Sequence, residues 1–267
     1  MRLGRPELDF DRPETIEPAL RGAAPRLIVN AAAYTAVDDA ERDAPAAARA
    51  NAVAPGRIAA LAASLGIPLI HISTDYVFDG SKGAPYVETD APSPAGVYGA
   101  TKCAGEQAVL AAHGQAIILR TSWVYGIEGR NFVRTMLGAA RRAPRLRVVA
   151  DQRGCPTNAE DLAHAILAIV ARLDAGWEDS YAGLFHAAGT GDTTWHGFAI
   201  AIFEEAARHG VARPVVEPIT TADWPTPAKR PADSRLDCTK LAEIFDVRLP
   251  PWRDSLARDL PAILARL

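Results

Sequence analysis

Short apolar runs alternate with longer amphipathic or alanine-rich stretches along the first half of the chain. The apolar runs predict buried strands over residues 26–30, 67–74, 116–125 and 146–151. Helical spacing predicts a helix over 38–66, broken near Pro55 and ended by Gly66, and further helices at VYGATKCAGE and over 131–142. Continuous apolar strands separated by helices predict an α/β fold with a doubly wound parallel sheet.

The pattern is looser beyond about residue 152. Helices are predicted over 159–173, 194–209 and 252–267, with one strand over 184–188 and a proline-rich segment, WPTPAKRPADSRLD, before the end. We therefore predict a sheet domain over residues 1–151 and a smaller lobe over 152–267 that is interleaved with the sheet.

The charge balance and the cysteine content indicate which partners and which cellular setting the protein has. The 267 residues include 29 basic and 32 acidic side chains, so electrostatics favours neither nucleic acid nor an anionic membrane as partner. No apolar run has the length of a membrane span. Three distant cysteines, Cys103, Cys155 and Cys238, have no disulfide or metal-ligand spacing, which predicts a reducing, cytoplasmic setting.

Small or polar residues follow three of the predicted strands, at 30–34, 73–76 and 121–123. Ligands of open parallel sheets bind beyond the carboxyl ends of the strands. The segments that follow them, NAAAY, STDY and TSW, are therefore candidate binding residues.

The stretch VYGATKCAGE places Tyr98 four residues before Lys102, on one face of a helix. A nearby ammonium favours the phenolate and lowers the pKa of a tyrosine toward the range useful for acid–base catalysis. A hydroxyl from Thr74 or Ser73 could bind the same substrate oxygen. On this spacing alone, a packed ring beside a solvated lysine is the better interpretation.

One family shares, in order and spacing, the segments VNAAAYTAVDDAE, HISTDYVFDG, VYGATKCAGE, ILRTSWVYG, NFVRTML, DQRGCPT, TPAKRPADSRLD and LPPW. Over nearly its whole length the chain resembles the dTDP-4-dehydrorhamnose reductases, extended members of the short-chain dehydrogenase/reductase superfamily. This resemblance reverses the interpretation of Tyr98 and Lys102.

The resemblance implies reduction of dTDP-4-dehydro-β-L-rhamnose to dTDP-β-L-rhamnose by NADPH, with NADH as the alternative. Tyr98 would protonate the C4 keto oxygen, Thr74 would assist, and Lys102 would lower the pKa of Tyr98 and bind the nicotinamide ribose. The other implied contacts are Asp75 and Trp123 with the sugar nucleotide, Asp9 and Phe10 near the adenine, and Ala31, Ala32 and Ala33 along the cofactor. Residues 1–151 would then be the NADP-binding domain, and 152–267 mainly the substrate-binding lobe.

Other charged residues receive separate interpretations. Arg230 and Arg235 are candidate pyrophosphate ligands, because arginine makes bidentate contacts. The acidic run Asp38, Asp39 and Glu41 is most simply a solvated helix start. The resemblance allows a homodimer with a divalent ion such as Mg²⁺ at its interface, but the sequence shows no ligand cluster.

The chain departs from the family at its start, where MRLGRPELDF matches a position after the second strand and no GxxGxxG turn is present. We expect two interior strands to lose a shared neighbour, and the chain as written to bind NADPH weakly. A truncated or mis-started reductase is favoured, because the downstream reductase residues are intact. The alternatives are an inactive reductase, a regulatory subunit like that of methionine adenosyltransferase, and a related epimerase or dehydratase.

Overall fold

The computed structural model describes all 267 residues, and a parallel sheet of four strands lies at its centre. The strands of the chain are β1 Ile28–Asn30, β2 Leu69–Thr74, β3 Ala116–Thr121, β4 Val124–Tyr125, β5 Arg145–Val149, β6 Arg153–Gly154, β7 Thr157–Asn158, β8 Gly183–His186, β9 Thr193–Thr194 and β10 Val215–Ile219. The central sheet has the order β1-β2-β3-β8, with every pair parallel. The predicted α/β class with a parallel sheet is confirmed.

The helices are α1 Ile16–Ala23, α2 Val37–Ala40, α3 Ala44–Ala48, α4 Ala54–Leu65, α5 Val97–Ala112, α6 Phe132–Ala140, α7 Ala159–Asp174, α8 Trp195–Ala207, α9 Thr239–Phe245 and α10 Trp252–Leu264. None of them is long and apolar enough to cross a membrane. Gly66 ends α4 in the left-handed conformation, at φ 65°, as predicted.

The predicted break near Pro55 is wrong. Residues Arg49–Val53 form a π-helical turn that joins α3 to α4, and Ala54 donates its N–H to the carbonyl of Arg49 five residues back. This wide turn precedes the proline, which occupies the first turn of α4, where a missing N–H is tolerated. The break falls earlier, where Asp43 caps α3 by accepting the N–H of Ala46 at 3.1 Å.

Helices cover both faces of the central sheet because successive strand side chains point to opposite sides. Ile70, Ile117 and Leu119 pack on one face with residues of α7 and α9. Leu69 and Ile118 pack on the other with residues of α1, α4 and α5. A third cluster joins α6, α8 and α10 and forms the core of the second lobe.

The two halves of the chain exchange strands. β8, from the second half, is an edge strand of the central sheet, whereas β5, from the first half, pairs with β10. The expectation that β5 belongs to the main sheet is therefore wrong. Its side chains are mostly exposed or half-buried, and a strand covered by helices on both faces would bury them.

β1 is the other edge of the central sheet, and only β2 pairs with it. The expected pair of interior strands without a shared neighbour does not occur, because no strand of this chain lies on the far side of β1. Val29 is accordingly exposed in the middle of the strand.

Candidate active site

The centre of the site is the end of β2, where the chain turns from Thr74 into a single 3-10 turn over Asp75–Val77. The hydroxyl of Thr74 donates to Asp75 Oδ1 at 3.1 Å and accepts the N–H of Tyr76 at 3.2 Å. Both Thr74 and Asp75 are buried. Burial raises the pKa of Asp75 to about 6, and the hydrogen bond from Thr74 counters part of that shift.

Helix α5 brings Tyr98 to this strand end. Gly99 follows it and packs so closely that a Cβ there would overlap the backbone carbonyl of Tyr76. The rings of Tyr76 and Tyr98 meet edge to face, with centroids 5.5 Å apart. Glycine at 99 therefore lets the first turn of α5, which carries Tyr98, pack directly against the turn that follows Thr74.

The pKa of Tyr98 is raised, because burial disfavours the phenolate, and the Thr74 hydroxyl counters part of that effect by hydrogen bonding. The carboxylate of Asp75 raises the pKa further. The pKa of Tyr98 is thus raised rather than lowered in this structure. The ammonium of Lys102 is bonded to the carbonyl of Ile72, and its predicted effect on the phenol stays a prediction.

Lys102 is itself buried, and its ammonium donates to the carbonyl of Ile72 at 2.7 Å. Burial lowers the pKa of Lys102 to about 8, and the negative charge of Glu106 opposes that shift. Glu106 lies one turn further along α5 and forms a buried ion pair with Arg120 of β3, through bonds of 2.9 and 2.6 Å. The cations of Lys102 and Arg120 and the carboxylate of Glu106 thus lie buried beneath the site.

Three buried polar atoms at this edge of the sheet have no hydrogen-bond partner within the chain: Ser73 Oγ, Asp75 Oδ2 and Thr121 Oγ1. Ser73 and Thr121 belong to the last two residues of β2 and β3, and Asp75 directly follows β2; the final residues of the two strands, Thr74 and Thr121, pair in register. Buried polar groups are nearly always satisfied, so unpartnered ones gathered at one sheet edge are available to a ligand.

Trp123 has a strained backbone and a tight stack. Its φ is +48°, in the left-handed region that large residues rarely adopt. Its ring stacks on that of Trp195, with centroids 3.5 Å apart and an interplanar angle of 6°. Gly154 touches its indole, and the neighbouring Arg153 carbonyl accepts the N–H of Ser234 at 2.8 Å. Trp123 therefore packs against the segment whose backbone is bonded to Ser234.

The two candidate arginines are already paired. Arg230 donates to Asp38 at 2.7 Å and to the phenolic oxygen of Tyr76 at 3.4 Å. Arg235 holds Asp233 through bonds of 2.8 and 2.6 Å and reaches the carbonyl of Gly83 at 3.2 Å. Arg230 thus lies beside the Tyr76–Tyr98 pair, whereas Arg235 joins two loops.

The acidic run lies at a helix start, as predicted, because Asp38 and Asp39 are in the first turn of α2, but the expectation that all three side chains are simply solvated is corrected. Asp38 binds Arg230 and the N–H of Ala228, the latter at 3.2 Å. Glu41 accepts the N–H of Val97 at 2.8 Å, at the start of α5. Only Asp39 keeps an exposed side chain without such a partner.

The residues predicted to lie along the cofactor are near the exposed edge of β1. Phe10, Ala31 and Ala32 line a largely apolar cavity of about 490 Å³, and Ala33 follows directly in the chain. Asp9 lies in the same segment as Phe10, but its carboxylate is paired with Arg5 at 2.8 Å and Arg12 at 3.5 Å. The structure contains no group of three or more His, Cys, Asp or Glu side chains placed to hold a metal ion.

Comparison with known proteins decides the family. The family model described as RmlD substrate binding domain matches residues 1–264. A dTDP-4-dehydrorhamnose reductase of Sinorhizobium fredii (strain NBRC 101917 / NGR234) is 45% identical over 264 residues, which is 99% of this chain and 89% of that protein. The chain belongs to the dTDP-4-dehydrorhamnose reductase family.

Two further relatives show the range of this reductase family. A probable dTDP-4,6-dihydroxy-2-methyloxan-3-one 4-ketoreductase of Streptomyces antibioticus is 43% identical, with 98% of this chain and 86% of that protein covered. A solved dTDP-4-dehydrorhamnose reductase of Bacillus anthracis str. Ames, in complex with NADP, has a TM-score of 0.89 and 34% identity, with 97% of this chain and 88% of that chain covered.

Sequence reasoning missed several residues that support the reductase site. Asn51, in the π-helical turn, is fully buried. Its side chain accepts the N–H of Tyr34 at 2.8 Å and donates to Thr101 at 3.1 Å, which ties the segment after β1 to α5. Ser234 and Trp195 were also missed. A polar Asn inside an alanine-rich helix was the one available signal.

Proposed function

We propose that this chain reduces the C4 keto group of dTDP-4-dehydro-β-L-rhamnose to give dTDP-β-L-rhamnose, with NADPH as reductant and NADH as the alternative. The observation that carries the proposal is the placement of Tyr98, at the start of α5, against the turn that follows Thr74 at the carboxyl end of a central strand, where Asp75 Oδ2 and Thr121 Oγ1 are buried without partners. A phenol that keeps its proton is an acid, as a ketone oxygen that gains negative charge requires. NADPH, when bound, supplies the hydride.

The remaining roles are those that the family resemblance and the sequence suggest, and the contacts below support them. Thr74 orients the phenol and shares the keto oxygen. Lys102, held by the carbonyl of Ile72, places its charge under the site and binds the nicotinamide ribose. Asp75 offers its free Oδ2 to a sugar hydroxyl, and Trp123 presents its ring to the sugar nucleotide. Arg230 and Arg235 bind the pyrophosphate with guanidinium N–H groups other than those that hold Asp38 and Asp233.

The edge of β1 suits a dinucleotide in part. The small side chains of Ala31 and Ala32 let a ligand approach the backbone, and Phe10 offers an apolar ring in the same cavity. Ala33 continues this surface, and Asp9 would lie near the adenine. On this proposal residues 1–151 bind NADP and residues 152–267 mainly bind the substrate.

The assembly and the location of the protein are further proposals. A homodimer, which the family resemblance allows, is tested by sedimentation. The three cysteines are all free, which suits the reducing cytoplasm. Fractionation of cells that express the chain tests this location.

The decisive experiment follows NADPH oxidation with dTDP-4-dehydrorhamnose for the wild-type chain, for Tyr98→Phe and for Tyr181→Phe. Loss of the proton donor is expected to lower kcat roughly 10²- to 10⁴-fold in Tyr98→Phe. Tyr181 packs in the core on the α7 and α9 side of the sheet and donates to Glu178 at 3.0 Å, so its variant should keep its activity. Unchanged turnover in Tyr98→Phe would end the proposed role.

The Streptomyces antibioticus relative supports a second candidate, the reduction of another dTDP-linked 4-keto sugar. The same phenol and strand end would serve both reactions. Comparing kcat/KM for dTDP-4-dehydrorhamnose and dTDP-4,6-dihydroxy-2-methyloxan-3-one decides between them. Turnover of either substrate would exclude the regulatory-subunit alternative.

A further inference from the structure

The acidic segment after β1 joins the two parts of the site that come from distant regions of the chain. Glu41 contacts the start of α5, 56 residues away, and Asp38 contacts Arg230, 192 residues away. We propose that Glu41 and Asp38 are positioning residues for the reduction, with Glu41 placing the helix that carries Tyr98 and Asp38 placing Arg230. This inference rests on the function proposed above.

Glu41 replaces a missing cap at the start of α5. The N-cap residue is Gly96, which has no side chain to accept any of the free N–H groups of the first turn. Glu41 Oε1 accepts the N–H of Val97 at 2.8 Å instead, and its negative charge suits a helix N-terminus. A Cβ on Gly96 would lie 2.7 Å from this oxygen, so the glycine makes room for the carboxylate.

The capped residue directly precedes Tyr98. Any movement of the first turn of α5 is therefore carried to the phenol, whereas Lys102 lies a full turn further into the helix and is anchored separately by Ile72. A misplacement of about 1 Å at a reacting group can cost a hundredfold in rate. Glu41 is thus expected to act on kcat.

Asp38 acts on the other side of the site. It fixes both ends of a short stretch of the loop, through the N–H of Ala228 at 3.2 Å and the guanidinium of Arg230 at 2.7 Å. The guanidinium lies 5.8 Å from the ring centroid of Tyr76, whose edge meets Tyr98. Asp38 is thus expected to act on substrate binding and therefore on KM.

Four variants test the proposal. Glu41→Ala should lower kcat roughly 10- to 100-fold with little change in KM. Glu41→Gln should recover most of this loss, because its amide oxygen still accepts the N–H of Val97. Asp38→Ala should raise the KM for the sugar nucleotide about tenfold and leave kcat within about twofold. Asp39→Ala removes one charge from the same segment without removing a hydrogen bond, and should match the wild type.

Several outcomes would overturn the proposal. They are a kcat in Glu41→Ala equal to that of Asp39→Ala, a Glu41→Gln variant no better than Glu41→Ala, or an Asp38→Ala variant whose KM is unchanged. Thermal unfolding of all four variants shows whether each is folded. If Glu41→Ala does not fold, comparison of Glu41→Gln with the wild type carries the test, and a large loss of kcat there counts against the proposal.

Amide hydrogen exchange separates this inference from the proposed function, because it needs no turnover. If the wild-type chain has no reductase activity, the proposed function is wrong, but the positioning contacts are not thereby excluded. Exchange at Val97 and Tyr98 should then still be faster in Glu41→Ala than in Asp39→Ala, and exchange at Ala228 faster in Asp38→Ala. The positioning role itself would be overturned by equal exchange at Val97 and Tyr98 in Glu41→Ala and Asp39→Ala, or by equal exchange at Ala228 in Asp38→Ala and Asp39→Ala.

Discussion

Replacing Glu106 with Gln should destabilise the protein severely, because it leaves the guanidinium of Arg120 buried without a counter-charge. The side chains of Arg120 and Glu106 are 1% and 3% exposed. Two bonds, of 2.9 and 2.6 Å, join them, and the guanidinium lies 5.0 Å from the ring centroid of Phe78. Arg120 Nη1 has no partner, so Glu106 supplies the only anionic contact of this charge.

The expected loss is about 3–5 kcal/mol in the free energy of unfolding, the range for removing one partner of a buried pair. That is a large share of a typical total of about 5–15 kcal/mol. The exposed pair Arg21–Glu17, at 2.8 Å and one helical turn apart, is the matched control. Glu17→Gln should cost only about 0.3–0.5 kcal/mol, because solvent already screens that pair.

Urea unfolding of the wild type, Glu106→Gln, Glu17→Gln and the double variant Glu106→Leu/Arg120→Met measures these differences. The double variant removes both charges and should recover most of the loss, since apolar replacement of a buried pair is often nearly neutral. A loss below about 1 kcal/mol for Glu106→Gln would refute the reasoning. So would a double variant that is as unstable as the single one.

Three other predictions follow from the structure. Burial lowers the pKa of Lys102 to about 8 from 10.5, so between these pH values the unfolded chain holds a proton that the folded chain has released. The free energy of unfolding of the wild type, relative to Lys102→Met, should therefore rise across that window in urea titrations; a flat difference would contradict this. A Cβ at Gly105 would overlap the backbone of the π-helical turn, whereas nothing lies within 4 Å at Gly138, so only the first glycine-to-alanine change should lower the melting temperature. The Trp123–Trp195 stack should give an exciton couplet in the circular dichroism spectrum that Trp195→Leu abolishes; its survival would show that the rings are not coupled.

The sequence alone determined the parallel sheet, the positions of most helices and the presence of Tyr98, Lys102 and Thr74 at one edge. Local rules are sufficient for these features. Apolar runs bury on both faces, residues four apart share a helix face, and parallel strands end at the same side of a sheet. The family resemblance, which the comparisons confirm, supplied the reaction that these rules could not.

The predictions from sequence were wrong where a contact with a distant segment overrides the local pattern of residues. β5 has the apolar run of a strand, but which sheet it joins depends on β10, about 70 residues later along the chain. Pro55 breaks an ordinary helix, yet here it follows a π-helical turn whose backbone touches Gly105 of α5. No sequence window contains both partners of either contact.

The electrostatics of the site was decided by the tertiary structure alone. The Tyr-x-x-x-Lys spacing predicts a phenol with a lowered pKa, but burial raises the pKa of Tyr98, and the ammonium of Lys102 is bound to Ile72. Glu41 and Asp38 look like a solvated acidic run until their distant partners, Val97 and Arg230, are in place. Desolvation and long-range contacts exist only after the chain has folded, because each depends on groups that the sequence keeps far apart.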